Sequence, residues 1–253
     1  MNTIQTAPSL TPNADTIHRS VDPLPNNLLN DLMKTKAHLG TMKWTKTMSP
    51  FLFGYRNKIA IFNLERIIIS IKQALKVLHS IKQKKGHILF VNTSPKYTSL
   101  VKTTASITNQ SYINDRWVGG MLTNWKQLSQ SVFLFQKFAY QFDFFLEANN
   151  IQIPSYQKAK KRYEGLRYNA PIGEEIGEDT NLEAALPDII ILTNPEKNAI
   201  VIQEAEKYQI PIIAFMDSNT KNENIQYLIP GNNQSISFMY FCFNLFAITL
   251  NCK

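Results

Sequence analysis

The sequence predicts an α/β fold in which helices flank both faces of a parallel sheet. Short and almost wholly apolar runs at 87–92, 187–193 and 210–217 are typical of strands that are buried on both faces. Helical segments alternate with these runs, as expected when successive parallel strands are joined by crossover helices. The segment 126–186 interrupts this alternation and contains two long helical patterns. We therefore expect the layering of flavodoxin-like and Rossmann-like proteins, with an inserted helical hairpin.

The remaining elements follow from hydrophobic periodicity. The run IAIF at 59–62 predicts a further buried strand of the sheet, and SYIN at 111–114 predicts a short one. Apolar residues at helical spacing predict helices at 64–85 and 195–209. The run SISFMYFCFNLFAITL at 235–250 is strongly apolar but shorter than the roughly 20 residues that span a bilayer. It predicts a buried final helix rather than a membrane anchor.

Composition divides the chain into an extension and one domain. Residues 1–30 are rich in Pro, Asn and Thr and lack the apolar core of a signal peptide, so we expect a flexible N-terminal extension. Residues 31–253 are expected to form a single α/β domain with a helical excursion at about 126–186. Two cysteines, Cys242 and Cys252, cannot build a disulfide framework, which suits a reducing compartment.

The charge distribution indicates a polyanionic partner. The formal net charge is +8, and the stretch from Lys34 to Lys102 holds 14 Lys or Arg against one acidic residue, Glu65. Such a stretch repels itself unless an external polyanion neutralises it.

Enzyme motifs are missing from the places where this fold class carries them. No glycine-rich phosphate loop follows a predicted strand, and the four histidines have no metal-ligand spacing. Asp217 ends a strand, where α/β enzymes often place catalytic groups, but its polar neighbours favour a turn or helix cap. We expect no catalytic residue, no metal and no cofactor. The alternatives are an α/β enzyme that acts on an anionic small molecule through Asp217, and a basic protein peripheral to a membrane.

The stretch NDRWVGGMLTNW at 114–125 carries two of the 9 Gly and two of the 3 Trp within nine positions. Gly119 and Gly120 permit a backbone conformation or a close approach that a Cβ would block. Guanidinium, hydroxyl and amide groups and free backbone N–H groups are the usual contacts to phosphate and sugar. The alternative is a structural corner, with Trp117 packed inside and Arg116 outside.

Several blocks of the chain resemble the bacterial-type family of small-subunit ribosomal protein S2. The blocks are RWVGGMLTNW, AHLGTMKWTKTMSPFLFGYRNKIAIFNLERIIISIKQAL, ILFVNTSPKYTSLVKTTA and LPDIIILTNPEKNAIVIQEAEKYQIPIIAFMDSNTKNENIQYLIPGNNQSI, in the family order over roughly 33–250. Thr41 replaces a second His of the bacterial members, and WTKT replaces Trp-Asn-Pro. This drift favours a mitochondrial member.

The resemblance implies a structural constituent of the small ribosomal subunit and not an enzyme. The implied partners are small-subunit rRNA and neighbouring ribosomal proteins, with no membrane and no homo-oligomer. The implied location is the mitochondrial ribosome in the matrix, with the chloroplast or bacterial cytoplasm as alternatives. The expected rRNA-binding residues are Lys43, Lys46, Arg56, Asn57, Lys58, Arg116, Trp117, Gly119, Gly120, Thr123 and Asn124.

Three expectations concern how these residues are arranged. The cations among them are expected to converge on one edge of the sheet, away from the acidic stretch 174–188. The basic helix that carries Lys158, Lys160 and Lys161 is expected to matter less for RNA. Gly120→Val is expected to be more harmful than Gly165→Val, on the assumption that Gly165 lies on an exposed helix.

Overall fold

The computed structural model describes residues 26–149, 152–163, 165–166, 186–221 and 224–251. The helices are α1 (Asn26–Lys34), α2 (Leu64–Gln83), α3 (Thr98–Thr108), α4 (Trp125–Asn149), α5 (Pro154–Tyr163), α6 (Ala199–Lys207) and α7 (Ile236–Asn251). The strands are β1 (Leu52–Arg56), β2 (Ile59–Phe62), β3 (Ile88–Val91), β4 (Ser111–Ile113), β5 (Ile189–Leu192), β6 (Ile212–Met216) and β7 (Tyr227–Pro230).

Five of these strands form one parallel sheet in the order β4-β3-β5-β6-β7. The chain leaves β3 toward β4 on one side and proceeds from β5 to β6 and β7 on the other. Right-handed crossovers that run in opposite directions place α3 and α6 on opposite faces. Helix α7 packs against both α2 and α3. The predicted parallel sheet with helices on both faces is therefore confirmed.

Strand burial explains why the apolar runs were readable in the sequence. Every residue of β3, β5 and β6 is buried, as expected for central parallel strands covered on both faces. The aromatic residues of α7 pack onto this layer, with Phe243 stacked on Phe215 and tilted against Phe90. The predicted final helix is present and buries one face, while Ile236, Tyr240 and Ile248 of α7 are exposed. Within the described ranges, no helix combines the length and the apolar character that crossing a membrane requires.

The prediction that IAIF belongs to the parallel sheet is wrong. Strand β2 pairs antiparallel with β1 in a separate two-stranded hairpin. Asn57 and Lys58 form the turn with φ of 50° and 65°, which is the left-handed geometry that tight hairpin turns require. Strand β1 was missed because none of its residues is buried and a bulge between Leu52 and Gly54 interrupts its regular alternation.

The inserted helical hairpin is present in its described part. The Asp143 carboxylate of α4 accepts hydrogen bonds from the Tyr156 hydroxyl at 3.0 Å and from Lys160 Nζ at 2.7 Å, which ties α4 to α5. The hydrogen bond from Lys160 lowers the pKa of Asp143. Residues 167–185, which include most of the acidic stretch, lie outside the described residues.

Two further expectations from the sequence, the extent of the N-terminal extension and the exposure of Gly165, differ from the structure. Helix α1 begins at Asn26, so residues 26–30 of the expected flexible extension are helical. The expectation for residues 1–25 lies outside the described residues. Gly165 is buried rather than exposed, and a Cβ there would overlap the carbonyl oxygen of Tyr112 and lie 2.7 Å from its ring. The ranking of the two glycine variants is therefore reversed.

Candidate nucleic-acid interface

Residues 41–62, here called the basic hairpin, comprise a loop, a short 3-10 turn and the β1–β2 pair. Lys43, Lys46, Arg56 and Lys58 are all exposed on it. No acidic residue occurs within the segment. The basic hairpin therefore carries uncompensated positive charge, as a phosphate-binding surface requires.

Hydrogen bonds fix the start of the basic hairpin over the carboxyl end of β6. The Thr41 backbone N–H donates to Ser218 Oγ at 2.9 Å, and the Ser218 hydroxyl donates to the Lys43 carbonyl at 2.9 Å. The Thr45 backbone N–H donates to the Ser218 carbonyl at 2.8 Å. A turn far away in the sequence thus holds the backbone of Lys43, and its cation projects from a rigid base.

Asp217 belongs to this same turn. Its carboxylate is 2% exposed and accepts the Ser218 backbone N–H at 2.6 Å. Burial raises the pKa of Asp217, and the hydrogen bonds from Ser218 oppose that rise. The Thr220 hydroxyl donates to Glu196 at 2.7 Å, which braces the turn against the residues that follow β5. The turn interpretation of Asp217 is confirmed, but the chain continues to β7 and Asp217 caps no described helix.

The RWVGG corner is organised by a buried carboxylate. Glu204 of α6 is 5% exposed, and its two oxygens accept the backbone N–H groups of Gly120 at 2.6 Å and Leu122 at 2.9 Å. The indole N–H of Trp117 also points to Glu204, at 3.4 Å. Trp117 is 6% exposed, so the structural corner is present with its ring inside. The indole N–H of Trp117 and the backbone N–H groups of Gly120 and Leu122 are thus engaged within the protein. Only the other residues of the corner are free to contact a partner.

The outer residues of the corner remain accessible. Arg116, Gly119, Thr123 and Asn124 are exposed. A Cβ on Gly119 would meet nothing within 4 Å, so that position is open to a partner. Gly120 has φ of +89°, which explains the need for glycine there. The Asn124 carbonyl accepts the Leu128 N–H, so Asn124 rather than Thr123 is the N-cap residue of α4.

Arg116 borders a crevice of about 690 Å³ at the carboxyl ends of β3, β4 and β5. Arg162 at the end of α5 and Lys197 after β5 also line it, together with the acidic Asp115. Ligands of open α/β sheets bind at such points, where the chain direction across the sheet reverses. Sequence reasoning missed Arg162 and Lys197. The position of Lys197 just after a strand was a usable signal, whereas that of Arg162 depends on how the helical hairpin packs.

Lys43 and Arg116 lie at the same edge of the sheet, the edge at the carboxyl ends of its strands. Lys43 lies over the end of β6, and Arg116 follows β4, three strands away in the sheet. At about 4.8 Å per strand this separation is roughly 14 Å. Asp188, the described end of the acidic stretch, precedes β5 and so lies at the opposite edge of the sheet. In the described part of the chain, no group of three His, Cys, Asp or Glu is placed to hold a metal ion.

Comparison with known proteins identifies the family. The family model described as ribosomal protein S2 matches residues 32–251. The chain belongs to the ribosomal protein S2 family. The small ribosomal subunit protein uS2m of Marchantia polymorpha is 34% identical over 229 residues, which cover 88% of this chain and 90% of that protein. The uS2 proteins of Ehrlichia ruminantium strain Gardel and Marinobacter nauticus are 34% and 35% identical, over 87% and 82% of this chain and over 74% and 81% of their own lengths.

Membership of the S2 family confirms the resemblance seen in the sequence. The family is one of structural, non-enzymatic ribosomal proteins, so the prediction of a ribosomal protein without catalytic activity is confirmed. No finding supports the enzyme alternative, since Asp217 serves a turn.

Proposed function

We propose that the chain is a structural constituent of the small ribosomal subunit that binds rRNA through the basic hairpin and through the surface of the RWVGG corner. The observation that supports this most directly is the set of four exposed cations on the basic hairpin, with no acidic residue among them. Cations on a rigid base neutralise phosphates and release counterions. The hairpin turn through Asn57 and Lys58 adds an exposed amide beside these charges.

The residues of the corner take different parts in this proposal. Arg116, Gly119, Thr123 and Asn124 face the RNA directly, because they are exposed. Trp117 and Gly120 act from inside, since their N–H groups contact Glu204. Recognition rests on RNA shape and backbone, as is usual for structured RNA.

A salt titration with three variants tests the role of the basic hairpin. Changing Lys43, Lys46 and Lys58 together to Gln is expected to weaken binding to small-subunit rRNA. The slope of log affinity against log salt should flatten by about two to three units, at roughly 0.7–0.9 per phosphate contact.

The control removes the same charge from the helical hairpin. Changing Lys137, Lys158 and Lys161 to Gln leaves the Lys160–Asp143 contact intact, and all three residues are exposed. The control is expected to keep most of the wild-type slope. A larger loss in the control than in the hairpin variant would move the RNA-binding face to α4 and α5. The variant with Lys158, Lys160 and Lys161 changed should resemble the control in RNA binding, although it also loses the Asp143 contact.

We further propose that the protein acts in mitochondrial ribosomes, as a single copy in contact with neighbouring ribosomal proteins. The similarity to the uS2m protein supports this, and the drift of the WTKT segment from the bacterial pattern agrees with it. Bacterial uS2 proteins are similar to the same degree. Sedimentation of purified mitochondria should place the protein with the small subunit, and its recovery in another compartment would contradict the assignment.

A further inference from the structure

Three aromatic side chains of the basic hairpin are exposed to solvent and are here called the hairpin aromatic cluster. Trp44, Phe53 and Tyr55 are 47%, 79% and 53% exposed. The rings of Trp44 and Tyr55 lie with centroids 5.8 Å apart at an interplanar angle of 46°. Exposed apolar groups concentrated on one small element indicate an interaction site rather than a surface in contact with water alone.

The aromatic rings are held on a rigid support. Trp44 is followed by Thr45, whose hydroxyl donates to the Thr220 carbonyl at 2.9 Å and whose N–H is bound to Ser218. Tyr55 lies in β1, opposite Ala60 of β2. The pairing register shifts between Leu52 and Gly54, so Phe53 sits in a bulge, a feature that redirects a side chain. Because these segments are already fixed, binding a partner loses little conformational entropy.

The surroundings of the rings identify the chemistry of the partner. Lys43 directly precedes Trp44, and Arg56 directly follows Tyr55. Exposed cations on the same small element as exposed rings are the combination with which proteins hold a phosphate chain while its bases stack on aromatic faces. An acidic peptide would use the charges, but it would leave the flat ring faces without a matching group.

We propose that the hairpin aromatic cluster stacks on an unpaired base of small-subunit rRNA, with Lys43 and the other exposed cations of the basic hairpin holding the phosphate chain. The inference rests on the proposed function, because it requires that the basic hairpin faces rRNA. It adds a base-dependent part to a contact that phosphates alone would make independent of sequence. The ligand is a single-stranded loop or bulge, because bases in a helix are stacked on one another and cannot reach the rings.

Binding to two oligoribonucleotides separates stacking from charge. One is a single-stranded oligoadenylate of about ten nucleotides, and the other is an abasic chain with the same number of phosphates. The wild-type protein is expected to bind the oligoadenylate about tenfold more tightly, which lies within the range of roughly 1–3 kcal/mol per stacked base. Trp44→Leu and Tyr55→Leu should each lose most of this preference and keep the salt slope. Trp44→Phe should retain most of it, because a ring remains.

The control for a general effect of lost aromatic surface is Phe144→Leu. Phe144 is 78% exposed but lies on α4, outside the basic hairpin. The Phe144→Leu variant should prefer oligoadenylate over the abasic chain to the same degree as the wild type. Thermal unfolding verifies that each variant is folded. Because the changed side chains are largely exposed, the melting temperature of each variant should agree with that of the wild type.

The outcomes distinguish this inference from the function on which it rests. Equal affinity of the wild type for both oligomers, with the salt slope intact, would overturn stacking and leave the phosphate contacts standing. A flat salt slope for the wild type would overturn the proposed function itself. Poor incorporation of Trp44→Leu into subunits with an unchanged base preference would assign the cluster to a protein neighbour and overturn the inference.

Discussion

Replacing Glu204 by Ala is expected to destabilise the protein more than any change of an exposed acidic residue. The carboxylate accepts the backbone N–H groups of Gly120 and Leu122 and lies near the indole N–H of Trp117. Leu122 is buried, and Gly120 is partly so, hence water does not readily replace both contacts. The variant leaves two backbone donors without an acceptor and opens a void in the layer between α6 and the corner.

The magnitude follows from the number and length of these contacts. A buried donor that loses its acceptor costs about 1–3 kcal/mol. The N–H groups of Gly120 and Leu122 are two such donors, and both form short hydrogen bonds to Glu204. The contact from Trp117 is long at 3.4 Å and adds little. Removal of a buried charge returns part of the desolvation cost, which reduces the total. We expect a loss of about 2–4 kcal/mol in the free energy of unfolding, or a fall in Tm of roughly 5–15 °C for a chain of this size.

Urea unfolding followed by tryptophan fluorescence measures this loss. Glu204→Gln should fall between the wild type and Glu204→Ala, because the amide keeps one acceptor oxygen but turns an NH₂ group toward an N–H. The matched control is Glu206→Ala on the same helix. Glu206 is exposed and binds only Asn224 among its described contacts, so we expect a change within about 0.5 kcal/mol. Equal unfolding midpoints for Glu204→Ala and Glu206→Ala would refute the role of the carboxylate in the corner.

Two further predictions concern packing and pH. Gly165→Ala should lower Tm more than Gly120→Ala, because a Cβ at Gly165 collides with Tyr112, whereas Gly120 has space and pays only for its positive φ; the opposite order in thermal melts would contradict this. Burial lowers the pKa of His87 from 6.5 to about 4, against the opposing charge of Asp188, so neutral His87 is the form that the fold favours. The stability it contributes is fully present above pH 6.5 and is lost as the pH falls toward 4, by up to about 3 kcal/mol. The difference in unfolding free energy between wild type and His87→Gln should therefore shrink over that window, and a constant difference would show that His87 does not titrate there.

The central layer of the fold can be read from local sequence patterns. The continuous apolar runs at β3, β5 and β6 could be read directly because both faces of these strands are buried, so no polar residue interrupts them. The periodicity of α2 and the apolar character of α7 were equally visible. The family was also readable, because its motifs extend over most of the chain. The basic charge of residues 34–102 indicates an anionic partner from the sequence alone.

Much of the candidate site could be named from the sequence, but not how its members are used. Lys43, Lys46, Arg56 and Lys58 were predicted as exposed cations, and each is exposed. The sequence allows Trp117 either role, and its packing in the structure shows that the ring lies inside. Glu204 went unrecognised, although it falls among the buried residues of α6, where a carboxylate without a partner is too costly to occur.

Contacts between distant segments are visible only in the folded protein. IAIF has the apolar character of a central strand, yet it pairs antiparallel with β1 outside the main sheet, and its own residues do not reveal that partner. Ser218 holds a loop 177 positions away, and Glu204 holds one 84 positions away. Gly165 is packed against Tyr112, which lies 53 positions earlier in the chain. Local patterns fix which residues avoid water, but a hydrogen bond or a close approach between remote segments depends on the folded path of the chain between them.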